Sequence, residues 1–291
     1  MKFHNTRAGR VFDVANLIFL GAIGVIALLP LLFVLAGSFA TESELASRPF
    51  FLWPNQVTFE SYAYIFSTGA FLRSLIVTIC VTAGGTLIQL FFTFTMAYPL
   101  AKRGLPGRNL LINVVLFAMV FSGGMIPTFL VVKELGLLDS YWSLVLPLAI
   151  NPFSLIIIKN FFQELPVELE EAARVDGATE IGVLWRILLP LCKPVLATFA
   201  LFYAVGIWND FMSPLLYLTD PDKWPLQMFL RQVTVSSSLT GSEASTDPTY
   251  VPPAQGVKFA VIVVATLPIL LFYPFLQKHF AKGMLIGSVK G

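Results

Sequence analysis

Residues 152–208 read PFSLIIIKNFFQELPVELEEAARVDGATEIGVLWRILLPLCKPVLATFALFYAVGIW. Within them, residues 163–193 are the most charged stretch of the chain, with an apolar run on each side. Pro166 suits the first turn of a helix, where its missing N–H would be unpaired anyway. Glu168, Glu170 and Glu171 follow, close to the positive end of that helix's dipole. Asp176-Gly177 is a turn signal, and Thr179 suits the cap of a second helix. Ile181, Leu184, Trp185 and Leu188 then recur at i, i+3, i+4 and i+7, which predicts one apolar face. Pro190 and Pro194 are expected to end that helix. The stretch reads as two short helices joined by a tight turn, an elbow held between two apolar segments.

The flanking runs belong to a larger set. A helix rises about 1.5 Å per residue, so about 20 apolar residues cross a bilayer's hydrocarbon. Six segments reach that length, at roughly 14–37, 72–98, 110–132, 142–162, 194–218 and 257–277. The chain is 56% hydrophobic and 12% charged, against about 25% charged in a soluble domain. Lipid is therefore the fitting solvent for its surface. Lipid offers the backbone no hydrogen bonds, so each span is expected to be helical. The expected fold is all-α: a polytopic membrane helical bundle of six transmembrane helices, one transmembrane domain over residues 1–291. No internal repeat is visible.

The cations set the orientation. With both termini inside, the cytoplasmic segments hold Lys2, Arg7, Arg10, Lys102, Arg103, Arg108, Lys159, Arg174, Arg186, Lys193, Lys278, Lys282 and Lys290. The outer side holds only Arg48, Arg73, Lys133, Lys223, Arg231 and Lys258. Cytoplasmic termini are expected, and the elbow then lies on the inner face. The basic start, MKFHNTRAGR, resembles a signal peptide, but the apolar run after it exceeds the 7–15 residues of such a segment. It reads as a retained first span. A net charge of +2 gives no reason to expect nucleic acid. Cys80 and Cys192 form no CxxC or metal cluster and read as packing residues. Outer residues 38–71 carry Trp53, Tyr62 and Tyr64, which suit a membrane interface. In 219–256, the stretch SSSLTGSEASTDPTYVPP reads as a flexible loop.

From the residues alone the elbow fits two roles. Ala172 and Ala173 keep one surface thin, so it can slot into a partner's groove with Glu171 beside a basic residue there. It can equally be an interfacial loop that spaces spans four and five. The run Glu171-Ala172-Ala173-Arg174-Val175-Asp176-Gly177-Ala178, followed by Ile187, Leu189-Pro190 and Pro194, resembles the EAA motif of binding-protein-dependent ABC importers. Trp185 stands where that motif usually carries another aromatic. LWPNQVTFESYAYIF, WNDFMSPLLYL and LPILLFYPFLQKHFAKGMLIGSVKG extend the resemblance to the maltose-type, carbohydrate-uptake permeases. GGMIPTFLVVKELGLLDSYW is similar to a subset handling oligosaccharides of plant or algal polymers.

The resemblance implies a division of labour. Glu171 would meet a basic residue in a cleft of an ATP-binding subunit. Ala172 and Ala173 would allow close approach, and Asp176 and Gly177 would make the turn. Leu189 and Pro190 would set the exit toward span five. The tail, with Gly283, Gly287 and Gly291, would reach the dimer interface of the ATPases. The implied partners are a second homologous permease, a dimer of ATP-binding cassette subunits, an extracytoplasmic solute-binding protein and a sugar or oligosaccharide, in the bacterial cytoplasmic membrane. The chain has no GxxxxGK[ST] loop, so ATP is expected on the partner and no cofactor or metal on this chain.

Polar groups within spans are costly and mark candidate pathways. Asn209, Asp210, Gln89, Asn113 and Trp208 are the candidates, with Asn151 beside Pro152. Each fits interhelical bonding as readily as sugar contact. Tyr203, Trp208 and Phe211 can stack on sugar rings or pack a core. Gly84-Gly85 and Gly123-Gly124 allow close helix approach or a broken helix. The rival reading is an ion-coupled secondary transporter, which would need intramembrane carboxylates; Asp210 is the one mid-span acid. An enzyme would need clustered catalytic groups, and the two histidines, His4 and His279, lie at opposite ends.

Overall fold

The computed structural model describes residues 7–238 and 255–287, and all regular structure among them is helical. In chain order the helices are α1 (Arg7–Ser38), α2 (Glu42–Ser47), α3 (Glu60–Ser67), α4 (Gly69–Ala101), α5 (Arg108–Val120), α6 (Met125–Glu134), α7 (Trp142–Val145) and α8 (Pro152–Glu164). They continue as α9 (Val167–Val175), α10 (Glu180–Gly182), α11 (Leu189–Leu191), α12 (Lys193–Asn209), α13 (Met212–Tyr217), α14 (Leu226–Ser238) and α15 (Gln255–Gly287).

Among the described residues, two helices are long and apolar enough to cross a membrane, Val11–Ser38 and Gly69–Ala101. Three further bent pairs reach the same length and bring the number to five. Each bend has a local cause. Arg108–Val120 and Met125–Glu134 meet at 117° where Gly124 takes φ +84°, so the expected span 110–132 is a broken one. Trp142–Leu148 and Pro152–Glu164 meet at 50°, with Asn151 in extended backbone and its Oδ1 accepting from the Ser154 N–H at 3.0 Å. Glu180–Leu191 and Lys193–Asn209 meet at 81° about Cys192. Pro190 and Pro194 do not stop the helical path there. They sit at the first positions of α11 and α12, where proline's missing N–H is harmless.

The chain divides into two compact units. One comprises Met1–Phe71 and Leu230–Leu267. Its core gathers Ala36, Ala40, Leu45 and Phe51 around Phe33 and Phe259. Glu42 holds the start of α15, accepting from the N–H groups of Gln255 (3.2 Å) and Gly256 (2.8 Å). A carboxylate there satisfies orphan donors and complements the dipole.

The other unit comprises Leu72–Phe229 and Pro268–Gly291. One of its cores joins Phe94, Ala97, Tyr98 and Leu100 of α4 to Leu155, Ile158 and Phe162 of α8 and to Phe199 and Tyr203 of α12. A second joins Val81, Val132, Leu144, Val145, Tyr217 and Leu218. Gly85 permits the close approach of α4 to Ile207: a Cβ there would lie 2.8 Å from Ile207 Cδ1. Gly84 has open space instead. Cys192 is buried in the first core, whereas Cys80 is exposed.

The stretch expected as a flexible loop, residues 236–253, begins inside α14, and its remainder lies outside the described residues. Of the tail glycines, Gly283 and Gly287 fall within α15 and Gly291 lies outside the described residues.

Candidate functional site: the elbow between α8 and α12

The elbow folds as its residues direct. Pro166 caps α9, Glu168 and Glu170 occupy its first turn, and Arg174 its last, each charge complementing the helix dipole. The helix ends in a turn with two defining bonds: Ala178 N–H to Ala173 C=O at 2.9 Å, and Gly177 N–H to Arg174 C=O at 3.0 Å. That closure puts Gly177 at φ +83°, a conformation open to glycine and costly to others. Asp176 ends the helix, with its N–H on the Ala172 carbonyl. Thr179 then caps α10, its Oγ1 accepting from the Gly182 N–H at 3.1 Å.

The second arm departs from the expected α-helix. Val183–Leu188 is a π-helical segment. The wider turn buries Val183, Leu184 and Leu188 together with Ala173 and Cys192. Each large apolar side chain so buried contributes about 1.5–3 kcal/mol. Trp185 remains part-exposed and stacks on Phe91 at 6.1 Å. Ile181, expected on the same inner face, is 71% exposed; it lies in α10, ahead of the segment that buries Val183, Leu184 and Leu188.

The outer face therefore carries Glu171, Ala172, Asp176 and Gly177, with Val175 at 87% exposure and Ile181 beside the turn. Ala173 faces inward at 7% exposure, so only Ala172 of the alanine pair lies on the open surface. Leu189 is half-buried and Pro190 exposed. Val175 is given no role by sequence reasoning, and Ile181 is expected on the inner face. The available signal was two large apolar residues set among the densest charge in the chain.

Polar bonds tie the elbow to the last turn of α4. The Tyr98 hydroxyl donates to Glu180 Oε2 at 2.5 Å. Arg174 Nε donates to Glu180 Oε1 at 2.9 Å, and its Nη2 lies 3.5 Å from Glu170 Oε2. Lys102 pairs with Glu170 and sits 4.5 Å over the Tyr98 ring. The orphan carbonyls of α4 are met by Arg108 Nε on Leu100 (2.8 Å) and Gln163 Nε2 on Ala101 (3.1 Å). The Tyr98 hydroxyl, and then Arg174, hold the Glu180 carboxyl below the usual carboxylate range. Burial and the Arg174 charge push the Lys102 ammonium down.

The five pathway candidates are placed differently. Gln89 is buried on α4 and Trp208 on α12. Asn209 is exposed and donates to the Val205 carbonyl at 2.8 Å. Asp210 Oδ1 accepts from the N–H groups of Met212 and Ser213 and so ties down the first turn of α13. It also lines a small cleft with Thr78, Thr82, Leu144, Ile207 and Pro225. Asn113 is exposed on α5. Tyr203 is buried, its hydroxyl 3.2 Å from Thr93 Oγ1. The hydroxyls of Thr82 and Thr86 are buried without a hydrogen-bond partner. Their i, i+4 spacing with Thr78 was the readable signal. Among the described residues, no group of three or more His, Cys, Asp or Glu is placed to hold a metal.

Residues 85–286 match the family described as binding-protein-dependent transport system inner membrane component. The chain belongs to this family. It is a multi-pass protein of the bacterial inner membrane and a transport permease rather than an enzyme. It is 69% identical over 288 residues to Protein LplC of Bacillus subtilis, covering 99% of this chain and 98% of that protein. It is 53% identical over 283 residues to the polygalacturonan/rhamnogalacturonan transport system permease protein YtcP of the same organism, covering 97% and 99%. A solved chain from a bacterial ABC transporter involved in import of the acidic polysaccharide alginate matches with TM-score 0.87 at 32% identity, covering 96% of this chain and all of that one.

Proposed function

We propose that the elbow is the handle through which a separate ATPase moves this permease. The chain is a permease subunit of an ABC importer for sugars or oligosaccharides, working with an ATPase partner. The observation that carries the handle is the elbow's two-sidedness. Its inner face is fixed to the bundle, while Glu171, Ala172, Val175 and Ile181 project outward around a rigid turn. An apolar knob ringed by carboxylates suits a groove with a basic rim. Ala173 serves the bundle side, letting α9 lie close to its own core. Asp176 and Gly177 make the corner, and Leu189 and Pro190 set the exit toward α12.

The fuller arrangement is six spans in one permease domain, with Gln255–Leu271 in the sixth and both termini in the cytoplasm. A second permease completes the pathway, and a solute-binding protein delivers cargo from outside. The tail reaches the ATPase dimer interface. ATP binding closes the ATPases, and the docked elbows pass that motion on as a rigid-body rotation. Gln89, Asn113, Trp208, Asn209 and Asp210 are pathway residues, with Asp210 in the cleft beside α4. The cargo is an oligosaccharide of a plant or algal polymer, a reading supported by the polygalacturonan/rhamnogalacturonan and alginate relatives.

The test is co-purification with the neighbouring subunits, followed by ATPase and uptake assays over a sugar panel that includes oligogalacturonides. Stimulation by oligogalacturonides is expected. Glu171→Ala is expected to leave membrane insertion intact and to lower uptake relative to ATP hydrolysed. Unchanged uptake in that variant would remove Glu171 from the handle.

A further inference from the structure

The covalent connections of the elbow are poor transmitters. At its start, Leu165 and Pro166 are both in extended backbone, at ψ 141° and 126°. At its end the path bends by 81° at Cys192. Polar contact with α4 is more direct: Tyr98 holds Glu180 from the second arm, and Lys102 holds Glu170 from the first. Arg174 joins the two glutamates to each other. The second arm is thus tied to the last turn of α4, and the first to Lys102, the residue that directly follows it.

That helix is continuous over 33 residues. Tyr98 and Thr78 stand twenty residues apart on it, about 30 Å along the axis. At its far end Thr78 Oγ1 accepts from the Leu226 N–H at 2.7 Å, and Arg73 pairs with Asp222. Lys223, the neighbour of Asp222, bonds Asp139, whose Oδ1 also accepts from the Thr219 and Asp220 N–H groups at 3.1 Å. One helix therefore has polar fastenings at both ends, with the elbow at one and the 219–226 segment at the other.

We infer that α4 is a push rod and that Tyr98 and Glu180 are its positioning residues at the elbow end. The inference rests on the reading of the elbow as the ATPase handle. Displacement of the elbow moves α4 as a unit, and the Thr78–Leu226 and Arg73–Asp222 contacts carry that displacement to residues 219–226. By reciprocity, whatever biases those residues biases the elbow. Neither α8 nor α12 offers an unbroken path of this kind.

The experiment uses the complete transporter, with its ATPase, in proteoliposomes. Thr219, exposed in the far segment, is changed to cysteine in a Cys80→Ser background; buried Cys192 stays. Labelling by a membrane-impermeant maleimide is timed without nucleotide and after trapping with ATP and vanadate. A several-fold change in rate on trapping is expected. Tyr98→Phe, which keeps the ring over which Lys102 sits, and Glu180→Gln are each expected to abolish that change while trapped nucleotide stays at the unmodified level. The double variant should be no worse than either single one. Phe199→Leu loosens the same core from α12, where its ring packs on Phe202 and Tyr203, and should keep the response. A response retained in both joint variants, lost equally in Phe199→Leu, or absent before any joint change overturns the push rod. A separate arm, crosslinking Val175→Cys to the ATPase, tests the handle itself. Crosslinking with a retained response condemns only the push rod, whereas no crosslink condemns the handle.

Discussion

Ala178 donates its backbone N–H to the carbonyl of Ala173 at 2.9 Å, and this bond fixes the corner of the elbow. It demands positive φ at Gly177, where an added Cβ would meet no neighbour within 4 Å. The obstacle to substitution is therefore backbone strain rather than a clash. Gly177→Ala should cost about 1–2 kcal/mol, Gly177→Val more, and Gly177→Asn least. Thermal unfolding of the purified variants checks the order. Uptake should fall in the same order, since the corner sets how Val175 and Ile181 are presented.

The contact between Gly85 and Ile207 yields a second expectation. Any side chain at 85 must displace Ile207 Cδ1, whereas Gly84 faces open space. Gly85→Leu should destabilise by about 1–3 kcal/mol through overpacking, with Gly84→Ala near neutral. Melting temperatures in detergent distinguish the two.

Thr78 both donates to the Ser74 carbonyl at 2.9 Å and accepts from the Leu226 N–H at 2.7 Å, in a buried setting. Thr78→Val keeps the shape and orphans the Leu226 N–H. A loss of about 1–3 kcal/mol is expected, with Thr78→Ser restoring most of it. Denaturation of both variants in the same detergent provides the measurement.

The Glu180 carboxyl titrates below its ordinary range because Tyr98 and Arg174 favour the ionised form. The unfolded chain then binds the proton more readily than the folded one. Stability from this group is fully present above the unfolded value of about 4.3 and is lost as pH falls through the lower folded value. The melting-temperature gap between the native protein and Glu180→Gln should be constant above about pH 5 and should close in more acidic buffer.

Legibility in the sequence follows the range of the forces. The elbow's corner is readable because Pro166, Asp176-Gly177 and Thr179 act on their own neighbours. Its second arm is misread at Ile181, because one α-helical period does not run from α10 into the π-helical segment Val183–Leu188. The long apolar runs mark the membrane, yet the run 110–132 is broken at Gly124, where the glycine pair admits both outcomes. Ala172 and Ala173 look equivalent in sequence, and only packing against Leu184 and its neighbours separates them. The joint between Tyr98 and Glu180 spans 82 residues, and nothing local to either residue announces it. The same is true of Thr78 and Leu226.

The central claim is that the elbow faces the cytoplasm and is gripped there. A cysteine at Val175, the most exposed apolar position of the elbow, reports both points in a Cys80→Ser background. With a membrane-impermeant maleimide, labelling is expected in inverted vesicles stripped of the ATPase, protection once the ATPase is added back, and no labelling in right-side-out vesicles. Labelling from the outside, or labelling indifferent to the ATPase, would contradict the account.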